Sequence, residues 1–321
     1  MAERIRVAVL DDYQKVAQGL ADWDSLGANV SVEFFHDHLE DEDRLVDRLR
    51  PFEVLALMRE RTPVTGGLIA RLPNLRLLVT SGKRNASIDV RAAQAHGATV
   101  CGTGIRDGST VELAWALILA VARGLPQEER ALREGRWQVA LGHELRDKTL
   151  AILGLGRLGS QVAKIGQAFG MRTIAWSQNL TAERCAEVGG VELVDRSGLF
   201  ERADVLTIHL VLSKRTRGLV GAGDLALMKP TAFLINTSRG PIVDESALIE
   251  ALNAATIAGA GIDVYDREPL PADHPLRNTP NAVLSPHIGY VTEEVYRVFY
   301  PEMVEDIAAW LSGRPIRVIE P

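Results

Sequence analysis

TLAILGLGRLGSQVAKIGQAFG, residues 149–170, is the stretch from which the fold is read. Thr149 to Leu153 is a short apolar run and reads as a buried parallel strand. It leads directly into Gly154-Leu-Gly156-Arg-Leu-Gly159. A helical pattern follows, with Leu158, Val162, Ile165 and Phe169 at helical spacing. Strand, G-x-G-x-x-G and helix, in that order, form the turn that a dinucleotide's pyrophosphate requires. Gly154 permits the tight turn, Gly156 lets the phosphates approach the backbone, and Gly159 lets helix and strand pack closely. The helix N-terminus adds unpaired N–H groups and the positive end of a dipole. Arg157 and Leu158 at its start join the three glycines as candidate cofactor contacts. A glycine-rich turn alone says little, but here the strand and the helix are both present.

Working outward, short apolar runs alternate with helical stretches. Strands are expected at 5–10, 30–35, 54–57, 76–80, 98–101, 149–153, 172–176, 205–208, 232–236, 258–262 and 282–284. Helices are expected between them, for example at 40–49, 65–71, 88–95 and 109–124. This βαβα rhythm predicts an α/β protein with parallel sheets and right-handed crossovers. One series of strands ends near Cys101 and a second begins at Thr149, each of about five or six strands. Between them, Ser109 to Leu125 reads as a long buried helix joining two domains, and GLPQEERALREGRW as a polar arm. A last helix near Glu293 to Leu311 follows the second series and could return to the first domain.

The chain has 321 residues, enough for two domains of ordinary size, and 46% of them are apolar. A net charge of −6 and a pI of about 5.7 give no pull toward nucleic acid or an anionic membrane. The N-terminal sequence lacks a secretory pattern, and the longest apolar stretch, Val111 to Leu125, is interrupted by Glu112 and Arg123 and is too short to span a bilayer. Cys101 and Cys185 make no disulfide framework or metal pattern, so a reduced, cytoplasmic compartment is expected. His36, Asp37, His38 and Glu40 read as a solvated loop rather than a metal site, and no metal is expected.

Four motifs together now resemble a known family. After Gly154 to Gly159 come INTSRGPIVDESAL (235–248), GIDVYDREPL (261–270) and SPHIGY (285–290). In this order they are similar to the D-isomer-specific 2-hydroxyacid dehydrogenases, over roughly residues 100 to 290 and more weakly before that. The stretches VELAWALILAVARG (111–124) and REGRW (133–137) share the likeness. The resemblance implies two Rossmann-like or flavodoxin-like domains. A split substrate domain would comprise 1–102 and 292–321, and an inserted NAD(P)-binding domain would comprise 103–291. It also implies a homodimer joined largely through the nucleotide-binding domains, with the substrate bound between the two domains of each chain.

In that family an arginine, a glutamate and a histidine act together, and the matching residues are Arg239, Glu268 and His287. Reducing a 2-oxo acid places a hydride on the carbonyl carbon and a proton on its oxygen. His287 is the side chain type that can deliver that proton near neutral pH. Glu268 would pair with the imidazole and fix its ring. Arg239 would hold the substrate carboxylate and polarise the carbonyl. Asp263 matches an aspartate near the nicotinamide amide, and Thr237, Ser238, Leu210 and Gly289 match positions that line the cofactor. His209-Leu210 is usually followed shortly by a proline, whereas here Val211-Leu212 follow.

Two departures bear on specificity. Ser177 stands where an aspartate usually binds the ribose hydroxyls, which removes the repulsion of a 2′-phosphate. Both NAD and NADP therefore stay open, since the nearest following cation, Arg184, is seven positions on. In the first domain SGKRNASID (81–89) keeps Gly82 of a substrate-binding loop but places Lys83 and Arg84 where small residues are usual. These two either meet a small anionic substrate or form a solvated basic turn. Arg59 matches an arginine used on substrate by some members, or pairs with Glu60. The reading is hydride transfer between NAD(P)H and a small 2-oxo acid or D-2-hydroxy acid, hydroxypyruvate/glyoxylate reductase-like or phosphoglycerate dehydrogenase-like. The alternatives are a phosphite- or formate-type dehydrogenase of the same fold, or an NAD(H)-sensing protein like the corepressors related to these enzymes. Formate dehydrogenases carry Gln at the position of Glu268.

Overall fold

The computed structural model describes residues 4–321 and divides into two compact units. One comprises Met1–Asp107 with Val291–Pro321, and the other Gly108–Tyr290. The sequence reading set the first boundary at 102/103. The chain instead stays with the first unit as far as Asp107, where the Gly104 N–H donates to Glu302 Oε2 at 2.5 Å.

In the first unit, strands β1 (Ile5–Val9), β2 (Val30–Phe34), β3 (Val54–Leu57), β4 (Leu77–Thr80) and β5 (Thr99–Gly102) form a parallel sheet in the order β2-β1-β3-β4-β5. The helix Glu293–Leu311 belongs to this unit and buries Val295, Tyr296, Phe299, Tyr300, Met303, Val304 and Ile307. Beyond it, the Gly102 N–H donates to the Arg317 carbonyl and the Ile319 N–H to the Val100 carbonyl, so the chain end lies along β5. His36, Asp37 and Glu40 lie exposed on a loop as expected, but His38 on the same loop is shielded. His38 Nδ1 lies 3.0 Å from the buried Asp11 carboxylate, which raises its pKa, and His36 Nδ1 contacts the Asp12 carbonyl. Among the described residues no cluster of His, Cys, Asp or Glu is built to hold a metal.

The second unit holds β6 (Thr149–Leu153), β7 (Arg172–Trp176), β8 (Val191–Leu193), β9 (Val205–Ile208), β10 (Phe233–Asn236), β11 (Gly259–Ile262) and β12 (Ala282–Leu284), all parallel, in the order β12-β11-β10-β9-β6-β7-β8. Counted within the unit this is the doubly wound order, with a further strand at one edge. Side chains alternate across the sheet. Ala151 and Leu153 enter one apolar core, while Leu150 and Ile152 enter the other. Helices cover both faces, so β6 is buried along its whole length, as its continuous apolar sequence requires. Truncating one such side chain, as in Leu150→Ala, costs about 2–5 kcal/mol.

Two expectations fail here. The edge strand β8 has only three residues, Val-Glu-Leu, two of them exposed, too short to leave a pattern in the sequence. The polar arm is a helix over Leu125–Arg133, set off from the apolar helix Ser109–Ala122 by Gly124 at φ 58°. Both helices lie in the second unit. Among the described residues no single helix is long and apolar enough to cross a membrane.

Candidate active site

The strand order of the second unit reverses between β6 and β9, and the loops after these two strands meet there. Ligands of open α/β sheets bind outside the carboxyl ends of strands at such a point. Gly154 follows β6 with φ 103°, and a Cβ on it would lie 2.7 Å from the His209 carbonyl oxygen and 2.8 Å from Leu210 Cδ2. A Cβ on Gly159 would strike the Gly154 carbonyl, so the helix Arg157–Ala168 can approach its own strand only because this residue is glycine. Gly156 is the N-cap, is exposed, and would point a Cβ into open space. No side chain caps this helix, and Arg157 is exposed in its first turn while Leu158 packs partly into the core. The three glycines thus make a cradle with helix N–H groups facing outward.

Around the cradle, Ser238 Oγ donates to the Leu210 carbonyl. Thr237 is buried, and its Oγ1 has no hydrogen-bond partner. An orphaned hydroxyl at this place fits a polar ligand, because burying it unpaired costs about 1–3 kcal/mol. Together with the cradle it shows that the residues present fit a dinucleotide. Ser177 follows β7 directly. Arg184 donates from Nε to the Leu155 carbonyl inside the glycine turn and from a terminal nitrogen to Ser160 Oγ, while Glu187 neutralises it at 3.0 Å. The sequence reading saw Arg184 only as a distant cation; the structure places it as a brace under the turn. His209, half-buried in area but enclosed by protein, has its pKa pulled down to about 4 by burial, so the ring is neutral at pH 7.

Glu268 and His287 meet directly. His287 Nδ1 lies 2.5 Å from Glu268 Oε2, and Glu268 Oε1 accepts the Tyr265 N–H at 2.9 Å. With the carboxylate on Nδ1, that nitrogen carries a proton and Nε2 is left to exchange one. The backbone of His287 is left-handed, φ 53°, a strained conformation for a non-glycine residue that its surroundings must impose. Asp263 imposes it. Its fully buried carboxylate accepts from Ser285 Oγ at 2.6 Å, from Ile288 N at 2.9 Å and from Gly289 N at 3.0 Å. Burial raises the Asp263 pKa, and these hydrogen bonds oppose the rise. All its described bonds go to the loop that carries His287.

Arg239 follows β10 and donates to the Ser238 carbonyl at 2.7 Å. Asn236, which the sequence reading missed, holds this turn from both sides: its Nδ2 donates to the Arg239 carbonyl and its Oδ1 accepts the Ser238 N–H, each at 3.0 Å. A strand-ending Asn before a short polar turn is the available signal. Next to Arg239, Gly240 lies so close to the Tyr265 backbone that no Cβ would fit, which brings the Arg239 segment against the Glu268 segment.

In the first unit Arg59 is also left-handed, φ 52°, and donates to the Ser81 carbonyl at 3.0 Å and to Glu60 at 3.5 Å. Gly82, φ 86°, lies directly against the Arg59 guanidinium, and its N–H donates to Thr103 Oγ1. Asn85 ties the loop to the Arg59 carbonyl at 2.6 Å. Lys83 and Arg84 are exposed on this loop.

Comparison with known proteins shows the family. Residues 115–289 match the model of the D-isomer specific 2-hydroxyacid dehydrogenase, NAD binding domain. A glyoxylate reductase of Aeropyrum pernix is 41% identical over 257 residues, covering 77% of this chain and 76% of that protein. A D-3-phosphoglycerate dehydrogenase of Archaeoglobus fulgidus is 37% identical over 278 residues, 86% of this chain but 52% of that protein. The chain spans about half the length of such phosphoglycerate dehydrogenases. The crystal structure of a phosphoglycerate oxidoreductase from Vibrio cholerae superimposes with a TM-score of 0.91 at 38% identity, covering 96% of this chain and 99% of that one.

Proposed function

Because the chain belongs to the D-isomer specific 2-hydroxyacid dehydrogenase family, we propose that it interconverts a small 2-oxo acid and its D-2-hydroxy acid, with NAD(P)H as hydride donor. The observation that carries the reading is the contact of Glu268 Oε2 with His287 Nδ1 at 2.5 Å, on a loop that Asp263 holds in a strained conformation. Bound in the cradle, the nicotinamide cofactor supplies the hydride. The side chains do the rest. His287, protonated on both nitrogens, gives its Nε2 proton to the carbonyl oxygen, and Glu268 balances the charge and keeps the ring from turning. Arg239 holds the substrate carboxylate and draws charge onto the carbonyl oxygen. Arg59, Lys83 and Arg84 are suited to anion binding by their charge, whereas the Gly82 N–H is committed to Thr103 Oγ1.

Gly154, Gly156, Arg157, Leu158, Gly159, Leu210, Thr237, Ser238, Asp263 and Gly289 serve the cofactor in this reading. Ser177 leaves room for a 2′-phosphate, so NADP is accepted beside NAD. A small substrate such as glyoxylate or hydroxypyruvate is supported by the reductase likeness, and a phosphorylated one by the other relatives. A homodimer is supported by large apolar side chains exposed on the second unit: Leu125 60%, Leu132 59%, Trp137 74% and Leu141 94%. The double variant Trp137→Ser, Leu141→Asp should sediment as a monomer, and an unchanged dimer would place the interface elsewhere. The catalytic reading is tested by incubating the protein with NADH or NADPH and a panel of 2-oxo acids. Turnover of at least one supports it. Cofactor binding without turnover would leave a sensing protein.

A further inference from the structure

Behind the turn that carries Glu268 lies a cavity of about 420 Å³, whose lining includes Arg217, Pro241, Asp244, Glu245, Asp266 and His274. Glu245 opens the helix Glu245–Asn253, which follows closely after Arg239. Its carboxylate has two partners. Oε1 lies 3.0 Å from His274 Nε2, and Oε2 accepts the Asp266 backbone N–H at 3.3 Å. His274 Nδ1 in turn accepts the Leu276 N–H at 3.3 Å, so the ring's proton is on Nε2 and is donated to Glu245. Both side chains are largely shielded, at 18% and 17% exposure. The charged groups facing this carboxylate are Arg217, Asp244 and Asp266, and Asp266 is raised in pKa by its burial and by Glu245.

We propose that Glu245, oriented by His274, is a positioning residue for the Glu268–His287 pair. The inference rests on the function proposed above for those two residues. The geometry that assigns it is simple. Asp266 stands two positions before Glu268 in the same turn, where the Tyr265 N–H donates to Glu268 and the Asp266 N–H to Glu245. Glu245 therefore fastens the segment after Arg239 to the segment before Glu268, in addition to the close approach of Gly240 to Tyr265. Releasing it frees the turn, and the Glu268 carboxylate no longer meets His287 in one fixed place.

The test uses the full chain. In Glu245→Gln one of the two carboxylate oxygens becomes a donor nitrogen, so an acceptor is lost at either the His274 or the Asp266 position. Turnover should fall about tenfold to a hundredfold, the scale for a small misplacement of a reacting group, with KM changed by less than about twofold. The pH–rate profile should shift with it. His274→Ala should act in the same direction, and His274→Gln, which keeps a donor, should lose less. The ring N–H proton of His287 facing Glu268, followed by NMR on the resting protein, should broaden or move upfield in Glu245→Gln. If that variant merely melts at a lower temperature while the ring signal stays as in wild type, the pair only supports the fold and the inference is overturned. The ring signal decides this without any turnover, whereas failure of the wild type to reduce any 2-oxo acid counts against the proposed function instead.

Discussion

Acid should weaken the second unit through His209, by an amount that follows from its surroundings. His209 ends β9: its N–H donates to the Leu153 carbonyl at 2.8 Å, and its Nε2 lies 2.9 Å from Thr207 Oγ1. Its carbonyl sits where a side chain on Gly154 would be, so it forms part of the wall of the cofactor turn. Burial takes its pKa from 6.5 to about 4. The unfolded chain therefore binds a proton that the folded one refuses, and stability present above pH 6.5 is lost as the pH falls toward 4. A difference of about 2.5 units at about 1.4 kcal/mol each gives about 3.5 kcal/mol, an upper value because the residue keeps some contact with water. His209→Asn removes the titration and keeps a polar group near Thr207. Urea unfolding of both proteins, with the pH stepped from about 7.5 to about 4.5, should show wild type losing about 2–3 kcal/mol more than the variant. NADH affinity should decline over the same window. Parallel stability curves would refute the reasoning.

Replacing His287 by Gln should lower kcat by about two to four powers of ten while NADH still binds, and near-normal turnover in stopped-flow assays would exclude it as the proton donor. Ser177→Asp should weaken NADPH binding more than NADH binding by repelling the 2′-phosphate, as measured by fluorescence titration; an unchanged NADPH Kd would put the phosphate elsewhere. Asp306 is fully buried with one oxygen unpaired and the other 2.9 Å from Arg317 Nε, and burial raises its pKa to about 7. The folded state thus holds a proton that the unfolded state releases near pH 4, and stability declines as the pH rises from there to 7. Asp306→Asn should flatten that decline in urea titrations, and an unaltered slope would show that the group does not titrate as described.

The cofactor turn was legible because three glycines have separate steric tasks and the flanking strand is apolar throughout. Four motifs in order then gave Arg239, Glu268 and His287. Their support was less visible. Asp263 reads as a strand-end acid, and only the fold reveals that its two oxygens hold Ser285, Ile288 and Gly289. Asn236 and Arg184 act through backbone carbonyls, which no side-chain pattern encodes. Val191–Leu193 was missed because an edge strand of three residues has no period to detect. His38 was misplaced for another reason: its partner Asp11 lies on a different strand's end, so local polarity suggested solvent where the tertiary fold supplied a carboxylate.

The most direct test of hydride transfer is a single-turnover measurement with NADH or NADPH deuterated at both C4 positions and glyoxylate, hydroxypyruvate or phosphohydroxypyruvate, followed by mass and chiral analysis of the product. The account predicts a deuterium on C2 of the hydroxy acid, the D-isomer for the chiral products, and loss of the reaction in His287→Gln. Tight cofactor binding with no deuterium transferred to any 2-oxo acid would contradict it.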